Sequence, residues 1–419
     1  MSTKAQNPKR LEFVDSLRGL AVLFMVPLHT SHGWVRPDAR HGVVWTASQF
    51  FGGLAAPIFL TLAGVSLGLQ WANAQERGGR PNTRRDLARA LQLIVLGYLL
   101  RLQMWIIDGA GYAKPSNYLA QALLLIAYGL AYHGFGQLPT HARRGAILSA
   151  TAIVPFGVAM QVVSLVAPDR ARSLLRVDVL QCIGASLLLL TALGAVRRER
   201  FAGARFYIVA AIAVALSTGW MRSWVPGPLP EAIAGYIGQW APSAGRPIMG
   251  LFPLFPWFAY ALLGAALGLT WGREPDARKV ETHVIGLVAI GAAIGLVTSE
   301  SWPPIYQLLR QHEWLTQPVR VMYRVGLVLA LLGLALAASR RAVDAPATPL
   351  EVLGRASLLI YWVHLEFAFG AAARPIVRQL DWRGWALGSA ALLAAMWLLA
   401  YARIGWPRLR FQARNIATN

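Results

Sequence analysis

The residues whose types could do chemistry begin in the first apolar run, LEFVDSLRGLAVLFMVPLHTSHGW, which carries Asp15, Arg18 and His29. Read as a helix, it places Asp15 and Arg18 three residues apart, on one face, where they can pair. Arg18 and His29 are eleven apart, about three turns, so they fall on nearly the same face roughly 16 Å apart along the axis. Pro27 lies between them, removes a backbone hydrogen bond and predicts a kink near His29. A neutral imidazole can accept a proton at physiological pH, and in a wet cleft it could deprotonate an incoming hydroxyl or amine as a general base. A guanidinium suits phosphate, so Arg18 at the inner mouth could hold an anionic cofactor. The alternative is structural: Asp15 and Arg18 fix the helix end, and His29 bonds a neighbouring helix.

Two further clusters share this character. In RVDVLQCIGASLL, Asp178 and Gln181 are three apart on one face near the outer entry of a span. In LGRASLLIYWVHLEFAFG, Ser357, Tyr361 and His364 are spaced by four and three and line one stripe. Arg101 and Arg324 add two cations at membrane depth. Ionisable groups there are costly and usually face the protein interior or a water-filled cavity. Each alone is also explained by packing and interhelical hydrogen bonds, but several in one chain point to a shared polar cavity. The sequence has no glycine-rich loop of the Walker type, no zinc-ligand spacing and no paired histidines of a haem sandwich. No metal is expected, and chemistry driven by nucleotide hydrolysis or redox is unsupported. The single cysteine, Cys182, excludes an internal disulfide and forms no CxxC motif.

Holding such residues at depth takes spanning helices, and the composition supplies them. Of 419 residues, 56% are hydrophobic and only 14% charged, against about 25% charged in a soluble chain. Apolar runs of about 20 residues recur from end to end, each long enough to cross the hydrocarbon core. The expected fold is all-α: a polytopic integral membrane protein of about 10–12 spans, one transmembrane domain over residues 1–419. The spans fall near 12–34, 46–71, 88–107, 117–134, 145–167, 177–196, 204–224, 248–271, 280–298, 318–338, 354–373 and 384–404. The run at 117–134 is short and carries Gln121, which leaves counts of ten or eleven open. The first run keeps Asp15 and Arg18 and ends without a small-residue cleavage site, so it is expected to remain as a span.

Charge placement orients these spans. Of the 40 Lys and Arg, 24 fall in segments assigned inside, 13 in segments assigned outside, and Arg18, Arg101 and Arg324 within spans. This positive-inside bias puts both termini in the cytoplasm. It also accounts for the net charge of +21 without a nucleic-acid partner. Arg77, Arg80, Arg84, Arg85 and Arg89 are first a topology signal, and the same patch could bind phosphates. Most of the 16 Trp lie near span ends, as interfacial anchors do. The outer loops near 34–46, 225–247 and 299–317 are rich in Pro and Trp and could stack sugar rings.

Several of these stretches resemble a known family. RLEFVDSLRGLAVLFMVPLH looks like the first helix of bacterial membrane acyltransferases: an Arg, then D-x-L-R-G-L-A, then a His about ten residues on. AAPIFLTLAGVSLGL and VDVLQCIGASLLL resemble segments of the heparan-alpha-glucosaminide N-acetyltransferase catalytic-domain family. FPLFPWFAYALLGAALG and LGRASLLIYWVHLEF are similar to its later helices. The resemblance spans most of the chain as short islands. It implies acyl transfer from acyl-CoA, commonly acetyl-CoA from the cytoplasm, to a hydroxyl or amine of an acceptor, often a sugar. Residue by residue, Asp15 and Arg18 fall on D-x-L-R-G, and His29 matches the His of the broader acyltransferase pattern. The heparan-type branch places its important His in the next outer loop, and His41, Trp45 and Pro57 fit that arrangement. There the His–Trp spacing is one residue longer, and the branch's acidic residue before the Pro is absent. His29 is favoured over His41, and both are carried as catalytic candidates with Asp15 and Arg18.

On this reading the phosphates of acyl-CoA meet Arg18, Arg84, Arg85 and Arg101, while Asp178, Gln181, Tyr361, His364 and Trp45 orient the acceptor or thioester. The partners expected are acyl-CoA, a carbohydrate or small-molecule acceptor and the lipid bilayer, in a bacterial inner membrane. Homo-oligomerisation is open. The competing expectation is a permease for a small polar solute, which many spans, buried charges and a Pro-kinked helix would also suit.

Overall fold

The computed structural model describes residues 12–79, 81–108, 115–196, 203–223, 229–238, 249–272, 313–341 and 347–416. The expected span near 280–298 lies outside them. The described residues form helices and no strand. In chain order these are α1 (Glu12–Trp34), α2 (Gly42–Gly52), α3 (Ala55–Glu76), α4 (Thr83–Asp108), α5 (Pro115–Gln137), α6 (Ala142–Thr151), α7 (Ile153–Val166), α8 (Pro168–Leu175) and α9 (Val179–Val196). Then follow α10 (Ala204–Ser223), α11 (Glu231–Ile237), α12 (Leu254–Trp271), α13 (Glu313–Arg341), α14 (Pro349–Arg355), α15 (Ser357–Phe369) and α16 (Trp382–Ile416). Nine helical segments among the described residues are long and apolar enough to cross a membrane, or ten if α14 and α15 count as one broken span. Their outward faces agree: Leu125, Ile126, Ile153, Val158 and Leu165 are exposed, as lipid-facing side chains are in a chain whose backbone is satisfied within each helix. The protein is an all-α, multi-pass membrane protein.

The chain forms two compact units. One comprises the two chain ends, up to Ile58 and from Val328, and the other Phe59–Leu327. In the first unit α1 is the central element. Pro27 sits inside it, and the hydroxyls of Thr30 and Ser31 bond back to the carbonyls of Pro27 and Leu28 at 3.1 and 2.8 Å. Two glycines let α14 reach α1. A Cβ on Gly19 would run into the Leu350 carbonyl, and one on Gly354 into the Asp15 carbonyl. Gly33 does the same further along α1, where the backbone of Ala368 on α15 passes.

The span expected at 354–373 corresponds to α15, and a break at Ala356 separates it from α14 before it. α14 and α15 meet at an 86° bend, so α14 covers the first half of α1 and α15 the second. The start of α14 is capped by Thr348: its Oγ1 accepts from the Glu351 amide at 3.3 Å and donates to the Glu351 carboxylate at 3.2 Å. At the far end of α1, Arg378 and Leu380 donate backbone amides to the carbonyls of Gly33 and Trp34 at 2.9 Å each, joining the approach to α16 onto α1.

In the second unit α3 and α12 approach through paired glycines, Gly64 and Gly68 against Gly264 and Gly268, where added Cβ atoms would meet the partner backbone. This is the small-xxx-small packing by which membrane helices associate. α4 packs on α9 through Gly184, whose Cβ would lie 2.7 Å from the Ala90 carbonyl. A core of Leu102, Trp105, Leu124, Tyr128, Val163 and Leu174 ties α4 to α5, α7 and α8.

Candidate functional site

The break between α14 and α15 brings together residues that lie far apart in sequence. His364, on α15, is fully buried and reaches His29 on α1, with 2.8 Å between His29 Nδ1 and His364 Nε2. The ring planes are within 5° of each other and the centroids 5.1 Å apart. His364 Nδ1 bonds the Ile360 carbonyl at 2.7 Å. Tyr361 stands edge-on to His364 at 5.9 Å, and Phe369 tilts against His29 at 5.7 Å. His29 keeps part of its surface exposed, whereas His364 keeps none. The stripe of Tyr361 and His364 expected on one helix is therefore the wall behind His29.

Towards the start of α1 lies a charged node. Asp15 is buried, with Arg18 Nη1 at 3.8 Å and Arg355 Nε at 3.5 Å from its carboxylate. Arg355 also faces Glu351 at 3.5 Å. The guanidinium side chains of Arg18 and Arg355 remain 27% and 20% exposed, enough to meet a ligand while anchored from behind. The Asp15–Arg18 pairing is as the helix spacing predicts. Arg355 is a partner that spacing could not reveal, because it comes from α14.

Beyond His29 the end of α1 meets α2. His41 is exposed at the start of α2 and caps nothing. The histidine that organises this end is His32, one turn past His29. It bonds Gln49 at 2.9 Å and stands edge-on to Trp45 at 5.4 Å. Trp45 also packs near Trp382 at 6.4 Å and under the Arg40 guanidinium at 6.0 Å. Trp385 donates to Thr30 at 3.1 Å, and Thr30 bonds Ser389 at 2.7 Å, which fixes α16 against α1. The signal for His32 was in the sequence: H-T-S-H puts it three residues from His29, on a neighbouring part of the same face.

The remaining candidates lie in the second unit. Arg84 and Arg85 are exposed in the first turn of α4. Arg101 pairs with Asp178 at 2.9 Å and donates to the Ser173 carbonyl at 3.3 Å. Asp178 caps α9 by accepting from the Val179 amide at 2.9 Å, and its own amide donates to Gln181 at 3.2 Å. Gln181 is fully buried and lies so close to Gly97 that a Cβ there would sit 2.5 Å from its amide. Among the described residues Arg101 Nε and Gln181 Nε2 have no hydrogen-bond partner. The Tyr98 and Tyr236 hydroxyls bond at 2.9 Å, and burial pushes the Tyr236 phenol well up.

Fold and site together define a class: a multi-pass helical membrane protein whose first helix carries an imidazole hydrogen-bonded to a second one on α15. The particular family follows from the match of a family profile, described as "Heparan-alpha-glucosaminide N-acetyltransferase, catalytic", to residues 10–301. The chain belongs to that family of membrane acetyltransferases. The match includes His29, His32 and His41 and ends before Arg355 and His364. No curated protein matches the chain in a sequence search.

Proposed function

We propose that the protein moves an acetyl group from acetyl-CoA to a hydroxyl or amine of an acceptor, with His29 as general base. The observation that supports this most directly is the His29–His364 pair: a partly exposed imidazole on the first helix, backed by a fully buried one, in a chain of an acetyltransferase family. The acceptor O–H or N–H gives its proton to His29. The freed lone pair attacks the thioester carbonyl, the C–S bond breaks, and the departing thiolate takes the proton from the imidazolium. Positioned base catalysis of this kind contributes typically 10²–10⁴-fold.

Arg18 is assigned to the donor's phosphates, with Arg355 beside it, since planar guanidinium groups suit phosphate oxygens. The acceptor is assigned to Trp45. Its indole face, with His32, Gln49 and Arg40 around it, combines an apolar surface with hydrogen-bonding groups, which suits a sugar ring. Arg101 has its charge balanced by Asp178, and both fit a positioning role for α9. Acyl-CoA is expected from the cytoplasm and the acceptor from the opposite side of a bacterial inner membrane.

The test is label transfer from radiolabelled acetyl-CoA to a panel of sugars and amines by purified protein in detergent. His29→Ala is expected to lower transfer by about 10²–10⁴-fold, and His41→Ala to leave it near wild type. Loss on His41→Ala with activity retained in His29→Ala would move the base to the outer loop. Absence of transfer, with solute uptake by protein-containing vesicles, would instead favour a permease.

A further inference from the structure

We infer that His364 is the positioning residue of this site: it holds His29 in the Nδ1–H tautomer and leaves His29 Nε2 as the atom that takes the acceptor's proton. The inference rests on the acyl-transfer reading for its catalytic meaning, but the proton arrangement follows from donor and acceptor accounting alone. His364 Nδ1 is 2.7 Å from the Ile360 carbonyl oxygen. A carbonyl only accepts, so that nitrogen carries a proton. In a neutral imidazole the other nitrogen is then bare, and His364 Nε2 is an acceptor. The atom facing it at 2.8 Å is His29 Nδ1, which must donate. Neutral His29 is left with its lone pair on Nε2.

The reverse tautomer of His29 would set two bare lone pairs against each other at 2.8 Å. Ring orientation agrees. Planes within 5° and a nitrogen–nitrogen distance shorter than face-to-face packing at about 3.5–4.0 Å mean that the rings meet edge to edge, along the direction in which an N–H and a lone pair point. Burial supplies the polarity of the pair. His364 is closed off, with its second nitrogen committed to the α15 backbone, so a proton can enter only at the partly exposed His29. When it does, Nδ1–H of the imidazolium becomes a charge-assisted donor to His364, a stronger bond than the neutral one. Resting and protonated states thus keep one geometry.

The experiment uses full-length protein with 15N-labelled histidine in lipid bilayers, read by solid-state NMR, with the His29 resonances assigned by their loss in His29→Ala. Wild type is expected to show His29 with Nδ1 protonated and Nε2 bare. His364→Gln, whose side-chain carbonyl still accepts, keeps that pattern and most of the transfer rate. His364→Leu removes the acceptor, gives a mixture of His29 tautomers and lowers kcat with KM for acetyl-CoA little changed. The expected loss is about 10–100-fold, the range for outer partners that orient a functional imidazole. A bare Nδ1 in wild type, or the same spectrum for Gln and Leu variants, overturns the inference; should the Leu variant fail to fold, the wild-type and Gln spectra decide it. A wild-type spectrum as expected from protein that transfers no acetyl group overturns the acyl-transfer reading, and with it the catalytic role of His364, while the proton arrangement stands.

Discussion

Asp15 faces two guanidinium groups from opposite sides, Arg18 on its own helix and Arg355 on α14. Removing its carboxylate would leave two partly buried cations facing each other. Asp15→Ala is therefore expected to destabilise the protein by about 3 kcal/mol, towards the low end for breaking a buried ion pair because both arginines keep some contact with solvent. Thermal unfolding in detergent would show it, and Arg355→Met in the same background should recover part of the loss by removing one of the two cations that Asp15 no longer balances. Trp45 gives a kinetic prediction. If its ring face holds the acceptor equally in ground and transition states, Trp45→Ala raises KM for the acceptor and leaves kcat nearly unchanged. A fall in kcat alone would place Trp45 among groups that position His32 and the end of α1.

The element that makes the site is the bent pair α14–α15, and its contact with α1 depends on glycine. Gly354→Ala would drive a Cβ into the Asp15 carbonyl, and Gly19→Ala one into the Leu350 carbonyl. Neither obstacle is a flexible side chain, so α14 must move off α1. Each variant is expected to lower both thermal stability and acetyl transfer. Gly129→Ala on α5 is the control, since its Cβ meets nothing within 4 Å, and a helix gains about 0.5–1 kcal/mol from that exchange. Were Gly354→Ala as stable and active as Gly129→Ala, the close packing of α14 on α1 would be wrong.

The same elements show what can be read without a structure. Asp15, Arg18 and His29 were legible because they share one helix, where spacing dictates facing. α5, 23 residues long, extends past the expected 117–134 at both ends, and Gln121 within it is buried. The break at Ala356, between Arg355 and Ser357, is marked by no proline, although T-P-L-E at 348–351 announces a helix start through the Thr348 cap. The partnership of His29 with His364 has no local signature: periodicity places each on a face and says nothing of which distant face it meets. Arg101 and Asp178 stood out individually for the same reason, as partly buried charges whose pairing only packing reveals.

At the scale of the whole molecule the open quantity is direction. Of the 40 Lys and Arg, 24 fall in segments assigned inside and 13 in segments assigned outside, a bias from which the positive-inside rule would give an orientation. The proposed orientation has the Asp15–Arg18 end of α1 at the cytoplasm, where acyl-CoA would enter, and His29, His32 and Trp45 towards the other side, where the proposed acceptor would be met. Accessibility can decide it with little background, because the single native cysteine, Cys182, is fully buried. Arg84→Cys and Asp169→Cys both place a thiol at an exposed position, in the first turn of α4 and on α8. With a membrane-impermeant maleimide, Asp169→Cys should label in intact cells and Arg84→Cys only after permeabilisation. The opposite pattern would place the arginine end of α1 outside. A donor carrying phosphates would then have to reach Arg18 from the side where acyl-CoA is absent, and an acceptor from the cytoplasm would meet Trp45, so the roles of the two ends would have to be exchanged while the imidazole pair between them kept its chemistry.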